Sequence, residues 1–337
     1  MVKPEGWLAA RKGRSTLLLF FAGMLVSNVG RNAYFVCLTW IALTKSNSVR
    51  LVTVLLFAST LVQFLSSGIS GHLADVIDRR RLAVGFDVVR TLVVALTGYA
   101  VTAEAGLWAL FLSVALYSVA DRGYLTSMQS MIPDLTLRTS AIAANSASYL
   151  MMQVGTFLGA LLAGYLLHAI PYGVGLSSIA VTFAISVIVL YAARMELRAP
   201  ATATQYRANL LSQLFSIKQL TRNRLIGSAA CYGLTLGLAA LFSSLLAAYV
   251  LKEMKGGAVQ FGQMESAWAL GATVACLLLS IGVGKSLTDL SLAPLLFLSG
   301  VGLILLWMFP GPASAATTLV ALGVIYNVNR ILVDARV

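Results

Sequence analysis

Long apolar stretches separated by short polar breaks fill the chain from Ser15 almost to its end. Each stretch is long enough for a helix to cross a bilayer, which takes about 20 residues. Turn-forming residues mark several breaks, among them Pro133-Asp134 and Pro310-Gly311-Pro312. The pattern predicts an all-α membrane protein with about ten transmembrane helices, over residues 15–43, 50–71, 82–102, 107–130, 141–168, 173–193, 225–251, 258–283, 291–308 and 314–333.

The composition supports this prediction. Of the 337 residues, 59% are hydrophobic and 11% are charged, whereas soluble domains contain roughly 45–50% apolar and about 25% charged residues. The first apolar stretch is longer than the core of a secretory signal, ~7–15 residues, so we interpret it as a retained helix. Neither a disulfide framework nor a metal site is indicated by the three cysteines, which lie inside apolar stretches: Cys37, Cys231 and Cys276.

The net charge of +12 is explained by orientation. With the amino terminus in the cytoplasm, the inner segments hold sixteen Lys and Arg and the outer loops hold four. Short cytoplasmic loops collect Lys and Arg in membrane proteins, so this bias predicts a cytoplasmic amino terminus and leaves no need for nucleic-acid binding. Tryptophans at three predicted outer helix ends are expected to form an interfacial aromatic belt: Trp40, Trp108 and Trp307.

One long polar interruption, residues 195–224, divides the chain. Apolar residues recur in it at helical spacing, which predicts an amphipathic helix on the inner membrane surface; a solvated linker is the alternative. The predicted organisation is therefore a six-helix bundle over 1–194, a cytoplasmic linker over 195–224 and an incomplete bundle of four helices over 225–337.

Four arginines lie within predicted spans: Arg31, Arg90, Arg122 and Arg330. A charge at the centre of a membrane helix costs about 2.5–3.5 kcal/mol on insertion scales, so such residues usually face a bundle interior or a water-filled cavity. Asp87 and Arg90 stand at i and i+3 and are expected to pair on one face of their helix.

Adjacent residues Asp121 and Arg122 point about 100 degrees apart on a helix, so at least one must reach a neighbouring helix. We expect Asp121 to pair with Arg90 or toward the loop near residue 80. Arg31 and Arg122 are expected to line a central path, and Arg90 is a further candidate for it. Glu265 is the carboxylate well inside a span of the second half, which makes it a candidate proton carrier alongside Asp121.

Small residues and a charged loop complete the pattern. Gly155, Gly159 and Gly164 form a stripe on the fifth span, and Gly233 and Gly237 form another on the seventh; such stripes allow close helix packing. The stretch from Gly71 to Leu82 contains three consecutive arginines and is predicted to be a cytoplasmic loop. Its candidate gating residues are Gly71, Asp75, Asp78, Arg79 and Arg80.

The residues Gly71-x-x-x-Asp75-x-x-x-Arg79-Arg80 resemble the loop signature of the major facilitator superfamily, with departures at Val76 and Asp78. Residues 155–164 are similar to the antiporter motif of its fifth helix, with Ala160 in place of proline and Ala163 in place of glycine. Together with Met131-Ile132-Pro133-Asp134, these motifs look like the twelve-helix drug and siderophore exporter branch.

The resemblance implies two six-helix bundles that rock about a central site, with the loop closing the inner side of the outward-open form. By the family pattern, helices eleven and twelve are lacking here. The function it implies is proton-coupled export of a small amphipathic, drug-like or siderophore-like molecule across a bacterial inner membrane; the alternative is a truncated or non-transporting scaffold. Several arginines along the path favour an anionic or zwitterionic cargo.

An enzyme is not predicted. His72 and His168 lie far apart in the sequence, and no nucleophile triad, metal-ligand cluster or phosphate-binding G-x-x-x-x-G-K-[S/T] loop is present. The expected partners are therefore a small molecule, protons and lipid, without a cofactor.

Overall fold

The computed structural model describes residues 4–135, 141–193, 242, 245–278 and 292–334. Apart from short connections these residues are helical, and no strand occurs among them. In chain order the helices are α1 Pro4–Ser46, α2 Val49–Val76, α3 Arg79–Thr102, α4 Leu107–Leu135, α5 Ala141–Ala169, α6 Tyr172–Ala192, α7 at 245–252, α8 Ala258–Leu278, α9 Leu292–Met308 and α10 Pro312–Asp334.

Within the described residues the helices match the predicted spans. Four of these helices are long and apolar enough to cross a membrane: α2, α3, α6 and residues 147–169 of α5. The first helix begins at Pro4, about three turns earlier than the predicted span, because proline is tolerated in the first turn of a helix. The predicted amphipathic helix at 195–224 and the stripe of Gly233 and Gly237 lie outside the described residues.

The predicted loop from Gly71 to Leu82 is wrong in extent. Helix α2 continues through Gly71 and Asp75 to Val76, and α3 begins at Arg79, so the connection is Ile77 and Asp78. The side chain of Asp78 accepts a 2.8 Å hydrogen bond from the backbone N–H of Arg81 and caps α3. Aspartate is a strong helix-capping residue, and this cap decides where the break falls.

Two groups of helices lie side by side. In the first half α3 packs against α4 and α6, while α1 packs against α5 and α6. In the second half α10 packs against α8 and α9, and the halves meet mainly through α5 and α8. We call the end with Ile77 and Asp78 the hairpin end, and the opposite end, with connections 47–48, 103–106 and 253–257, the far end.

The described apolar core shows how the halves join. Toward the far end, buried residues of both halves form one cluster, which includes Leu43, Leu167, Phe261 and Leu319. Toward the hairpin end each half has its own cluster, around Phe20 and Met128 in the first half and Ala275 in the second. Among the described residues, the halves are therefore closed against each other at the far end and share no apolar cluster toward the hairpin end.

Candidate functional site: a charged cavity between the two halves

A cavity of about 870 Å³ lies between the halves, a size that fits the ~300–1,000 Å³ of small-molecule sites. Six helices form its walls: α1, α2, α4 and α5 from the first half and α8 and α10 from the second. The polar and charged lining residues are Asn28, Arg31, Asn32, Thr39, Thr60, Gln63, Ser67, Arg122, Gln129, Gln153, Thr156, Glu265 and Asn327. Both halves therefore line the same cavity.

Asp121 organises the first-half wall of this cavity. Its carboxylate accepts a 3.0 Å hydrogen bond from Arg31 Nε on one oxygen and a 3.0 Å hydrogen bond from Arg90 Nη1 on the other. Asp121 and Arg90 are fully buried, while the side chain of Arg31 is 28% exposed and lines the cavity. The predicted pairing of Asp121 with Arg90 is confirmed, whereas its alternative, a contact with the arginine-rich loop, is not seen among the described residues.

Asp87 completes a buried network with Arg90, to which it forms the predicted i, i+3 ion pair. Arg90 Nη2 also donates to Ser27 Oγ at 2.6 Å. Ser186 Oγ on α6 lies 2.7 Å from the second oxygen of Asp87, to which it donates. Two guanidinium groups and two carboxylates thus compensate each other across α1, α3, α4 and α6.

Aromatic rings surround the Arg90 guanidinium. Its Cζ atom lies 3.9 Å from the ring centre of Tyr124 and 4.7 Å from that of Phe183. Cations are attracted to aromatic faces, more strongly when water is excluded, so the rings replace part of the lost hydration. The small side chains of Ser27 and Ser186 leave the space that the guanidinium occupies.

Arg122 lies apart from this network. One residue after Asp121, it faces the cavity, as expected of adjacent helical positions. Its Nε atom is buried without a hydrogen-bond partner, and within the described part of the chain no carboxylate lies within ion-pair distance of its side chain. Glu265 reaches the cavity from α8 and likewise forms no hydrogen bond or ion pair with a described side chain.

Close helix packing closes the far end. A Cβ atom added at Gly262 of α8 would lie 2.6 Å from the carbonyl oxygen of Ala160 and 2.8 Å from Cα of Gly164, both on α5. Gly155 and Gly159 instead pack against α1, where an added Cβ at Gly155 would lie 2.6 Å from Asn28 Cβ. The predicted stripe on α5 therefore serves contacts within the first half and between the halves.

The expectation that Trp40 belongs to an interfacial belt is wrong. Trp40 is buried and stacks on Phe261 of the second half, with 5.5 Å between ring centres. Trp108 and Trp307 are exposed near the far end, as a belt requires. Trp40 sits nearly two turns before the end of α1, on the face that meets the second half, so its position in the sequence alone gave a misleading assignment.

Two of the predicted gating residues, Arg79 and Arg80, form local contacts at the hairpin end. Arg79 Nη1 donates to the carbonyl oxygen of Ser130 on α4 at 2.9 Å. Arg80 Nε donates to the carbonyl oxygen of Leu190 on α6 at 3.1 Å. Both guanidinium groups thus reach the carboxyl-terminal part of a neighbouring helix, where the helix dipole favours a cation. Asp75 is half-buried and Gly71 lies within α2.

Replacing Arg80 with alanine is expected to lower the free energy of unfolding by about 1–2 kcal/mol, because hydrogen bonds from a charged group to carbonyls are lost. Chemical unfolding in mixed micelles measures this. Arg81→Ala is the matched control, since Arg81 is exposed at the next position. An equal loss in both variants would show that general charge at this end matters rather than the contacts of Arg80.

The sequence profile of the Major Facilitator Superfamily matches residues 17–333. The chain belongs to the major facilitator superfamily. Members of this superfamily are membrane transporters, and the all-helical fold with a cavity between two halves agrees with that. A search of curated proteins gives no significant match to the sequence.

Three solved structures show the same fold at low identity. A mutant of the nucleoside transporter NupG aligns with a TM-score of 0.71 at 13% identity over 95% of this chain and 81% of that one. A bacterial homolog of the human lysosomal transporter Spinster, inward-facing and unoccupied, aligns with a TM-score of 0.72 at 13% identity over 99% of this chain and 75% of that one. The human organic anion transporter MFSD10 (TETRAN) aligns with a TM-score of 0.63 at 16% identity over 95% of this chain and 85% of that one.

Sequence reasoning missed several residues of the superfamily member's cavity. The amides of Gln153 on α5 and Asn327 on α10 form a 3.1 Å hydrogen bond between the halves. Trp268 lines the cavity and stacks on Phe242, with 4.8 Å between ring centres. Polar residues on one face of otherwise apolar helices were the available signal. Arg330 lies in α10, and its side chain is outside the described part of the structure. The described residues contain no group of His, Cys, Asp and Glu that could hold a metal ion.

Proposed function

We propose that this superfamily member is a secondary active transporter that exports a small amphipathic molecule across a bacterial inner membrane in exchange for protons. The observation that supports alternating access is the cavity, which both halves line and which is closed at the far end. Rocking the halves about α5 and α8 would close the hairpin end and open the far end. The motifs that resemble the exporter branch support export.

The direction of export follows from a proposed orientation. The arginine-rich hairpin end carries Arg79, Arg80 and Arg81, and the bias of Lys and Arg favours a cytoplasmic position for it. In this orientation the described conformation faces the cytoplasm, where it would accept cargo. The first-half bundle of residues 1–194 and the second-half bundle of residues 225–337 would be the moving units, joined by 195–224.

We assign the proton-carrying role to Glu265 rather than to Asp121. Protonation of Asp121 would leave Arg31 without its carboxylate and Arg90 with Asp87 as its one remaining carboxylate in a buried network, which is costly. Glu265 forms no ion pair with a described residue, and it reaches the cavity from the half opposite the network. The charged and titratable groups that face the cavity from other helices are Arg31, Arg122 and Tyr326. A carboxylate there can exchange a proton as access alternates.

The proposal is tested by accumulation of dyes, macrolides and iron chelators in a bacterial strain lacking its own exporters. We expect the wild-type chain to lower accumulation of at least one compound by about tenfold, equivalent to about 1.4 kcal/mol of gradient, with a protonophore removing the effect. Glu265→Gln should remove it as well. Glu253→Gln, the same change at an exposed residue outside the cavity, should not.

Three results would contradict the proposal. Unchanged accumulation of every compound by a folded protein would favour the scaffold alternative. Export that persists with a protonophore would exclude proton coupling. Labelling of an Arg80→Cys variant by an impermeant maleimide from outside intact cells would show that the orientation, and with it the direction of transport, is opposite to the one proposed.

A further inference from the structure

We propose that the cargo is a zwitterion whose carboxylate binds Arg122, whose ammonium group binds Glu265 and whose planar apolar part packs against Trp268. The inference deepens the proposed function and depends on it, because it names the class of molecule that the cavity would carry. It follows from three observations on the cavity: its uncompensated charges, its polar walls and its aromatic face.

The first observation is the charge balance. Arg31, Arg90, Asp87 and Asp121 neutralise one another within the first half. Of the charged residues that line the cavity, this leaves Arg122 and Glu265 without a compensating partner among the described residues. The cavity thus presents one cation and one carboxylate, so its charge is matched by a ligand that carries one of each sign.

The two groups belong to different halves. Arg122 is on α4 and Glu265 is on α8, and no ion pair between them is formed. A charge removed from water without a partner is unfavourable, and the buried, unpartnered Nε of Arg122 shows that part of its hydration is already lost. A carboxylate would provide the missing acceptor, since guanidinium groups bind carboxylates with matching geometry.

A ligand with only one charge leaves the other side chain unsatisfied. A lipophilic cation would pair with Glu265 but would place a second positive charge in the same cavity as Arg122. An organic anion would pair with Arg122 but would place a second negative charge in the same cavity as Glu265. A zwitterion satisfies both groups and, by bridging α4 and α8, contacts both halves at once.

The walls define the rest of the cargo. Amide side chains from both halves line the cavity, including Asn32, Gln63, Gln129 and Asn327, which offer hydrogen bonds that a purely lipophilic drug could not use. Trp268 is held by stacking on Phe242, with a centroid distance of 4.8 Å, and by contact with Tyr326 at 5.4 Å. A fixed indole face in a polar site favours a planar group on an otherwise polar molecule. Aromatic amino acids and small peptides that contain them have this chemistry.

Binding to the purified protein in nanodiscs tests the assignment by isothermal calorimetry. The probes are L-tryptophan and alanyl-tryptophan, with tryptamine, which lacks the carboxylate, and indole-3-propionate, which lacks the ammonium group. At least one zwitterion should bind the wild type about tenfold or more tightly than either single-charge analogue, because each analogue loses one charged hydrogen bond.

Two variants separate the charges. Arg122→Gln should bind the zwitterion no better than tryptamine, and Glu265→Gln should bind it no better than indole-3-propionate. Loss of discrimination is a readout that general destabilisation does not produce. Arg50→Gln and Glu253→Gln, the same substitutions at exposed residues, should keep the discrimination of the wild type.

Two results would overturn the inference: a wild type that binds tryptamine or indole-3-propionate as tightly as the zwitterions, or a folded wild type that binds neither zwitterion. The dye and chelator assay keeps this separate from the proposed function. Export of another compound without zwitterion binding would reject the cargo class and leave transport standing. Zwitterion binding without export of any compound, including the zwitterions, would reject transport and leave the site.

Discussion

Replacing Asp121 with asparagine is expected to lower the free energy of unfolding by about 3–5 kcal/mol, the usual result of removing one partner from a buried ion pair. Asparagine keeps the shape of the side chain but removes its charge. Arg90, which is fully buried, would then keep Asp87 as its one carboxylate partner, and Arg31 would lose the carboxylate 3.0 Å from its Nε. The network would hold two guanidinium groups and one carboxylate, with nearby aromatic rings as the remaining compensation.

The measurement is chemical unfolding in mixed micelles, supported by thermal melting in the same detergent. Asp78→Asn is the matched control, because asparagine caps a helix about as well as aspartate and the site is exposed. It should change stability by less than about 0.5 kcal/mol. Wild-type stability in Asp121→Asn would mean that the carboxylate is not needed for charge balance, and would return Asp121 to candidacy as the proton carrier.

Replacing Gly262 with valine is expected to shift the protein away from the conformation that is closed at the far end. The new Cβ would lie 2.6 Å from a carbonyl oxygen and 2.8 Å from a Cα atom of α5, and backbone atoms cannot rotate away as a side chain can. Helices α5 and α8 would have to separate, and close packing of small residues is what holds such helices together. A bias of about 1.4 kcal/mol would change the ratio of conformations tenfold.

Accessibility of a cysteine at Leu43, a buried residue of the far-end cluster, reports this shift. In a background without native cysteines, the Leu43→Cys variant should react with an impermeant maleimide about tenfold faster when Gly262→Val is present. Gly85→Val is the control, because a Cβ added at Gly85 meets nothing within 4 Å. An unchanged labelling rate would show that α5 and α8 do not form the closing contact.

Most of the helical architecture could be predicted from hydrophobicity, because a membrane helix must satisfy its own backbone hydrogen bonds over a fixed thickness. Helix ends were harder to predict where they depend on a side-chain cap. The charged stretch around Asp78 has the composition of a loop, yet it is two helix ends joined by two residues. Helix α1 likewise extends into the basic tail that composition assigned to the surface.

The candidate site could be predicted only in part. Spacing along one helix was enough for the pair of Asp87 and Arg90, and the adjacency of Asp121 and Arg122 separated their directions. The contact of Asp121 with Arg31 joins residues ninety positions apart, so no local pattern could reveal it. Trp40 illustrates the same problem, since being near the end of an apolar helix does not tell which face meets the other half.

By itself, the sequence determined that this is a polytopic helical membrane protein, which charges lie within its spans and which family its motifs resemble. Those properties depend on local composition, because the bilayer selects long apolar helices and penalises isolated charges. The tertiary structure alone decided which charges compensate each other, that Arg122 and Glu265 remain for the cavity, and which end is closed. These depend on how α1, α4, α5 and α8 are rotated and packed, and that geometry is set by contacts between residues far apart in the chain.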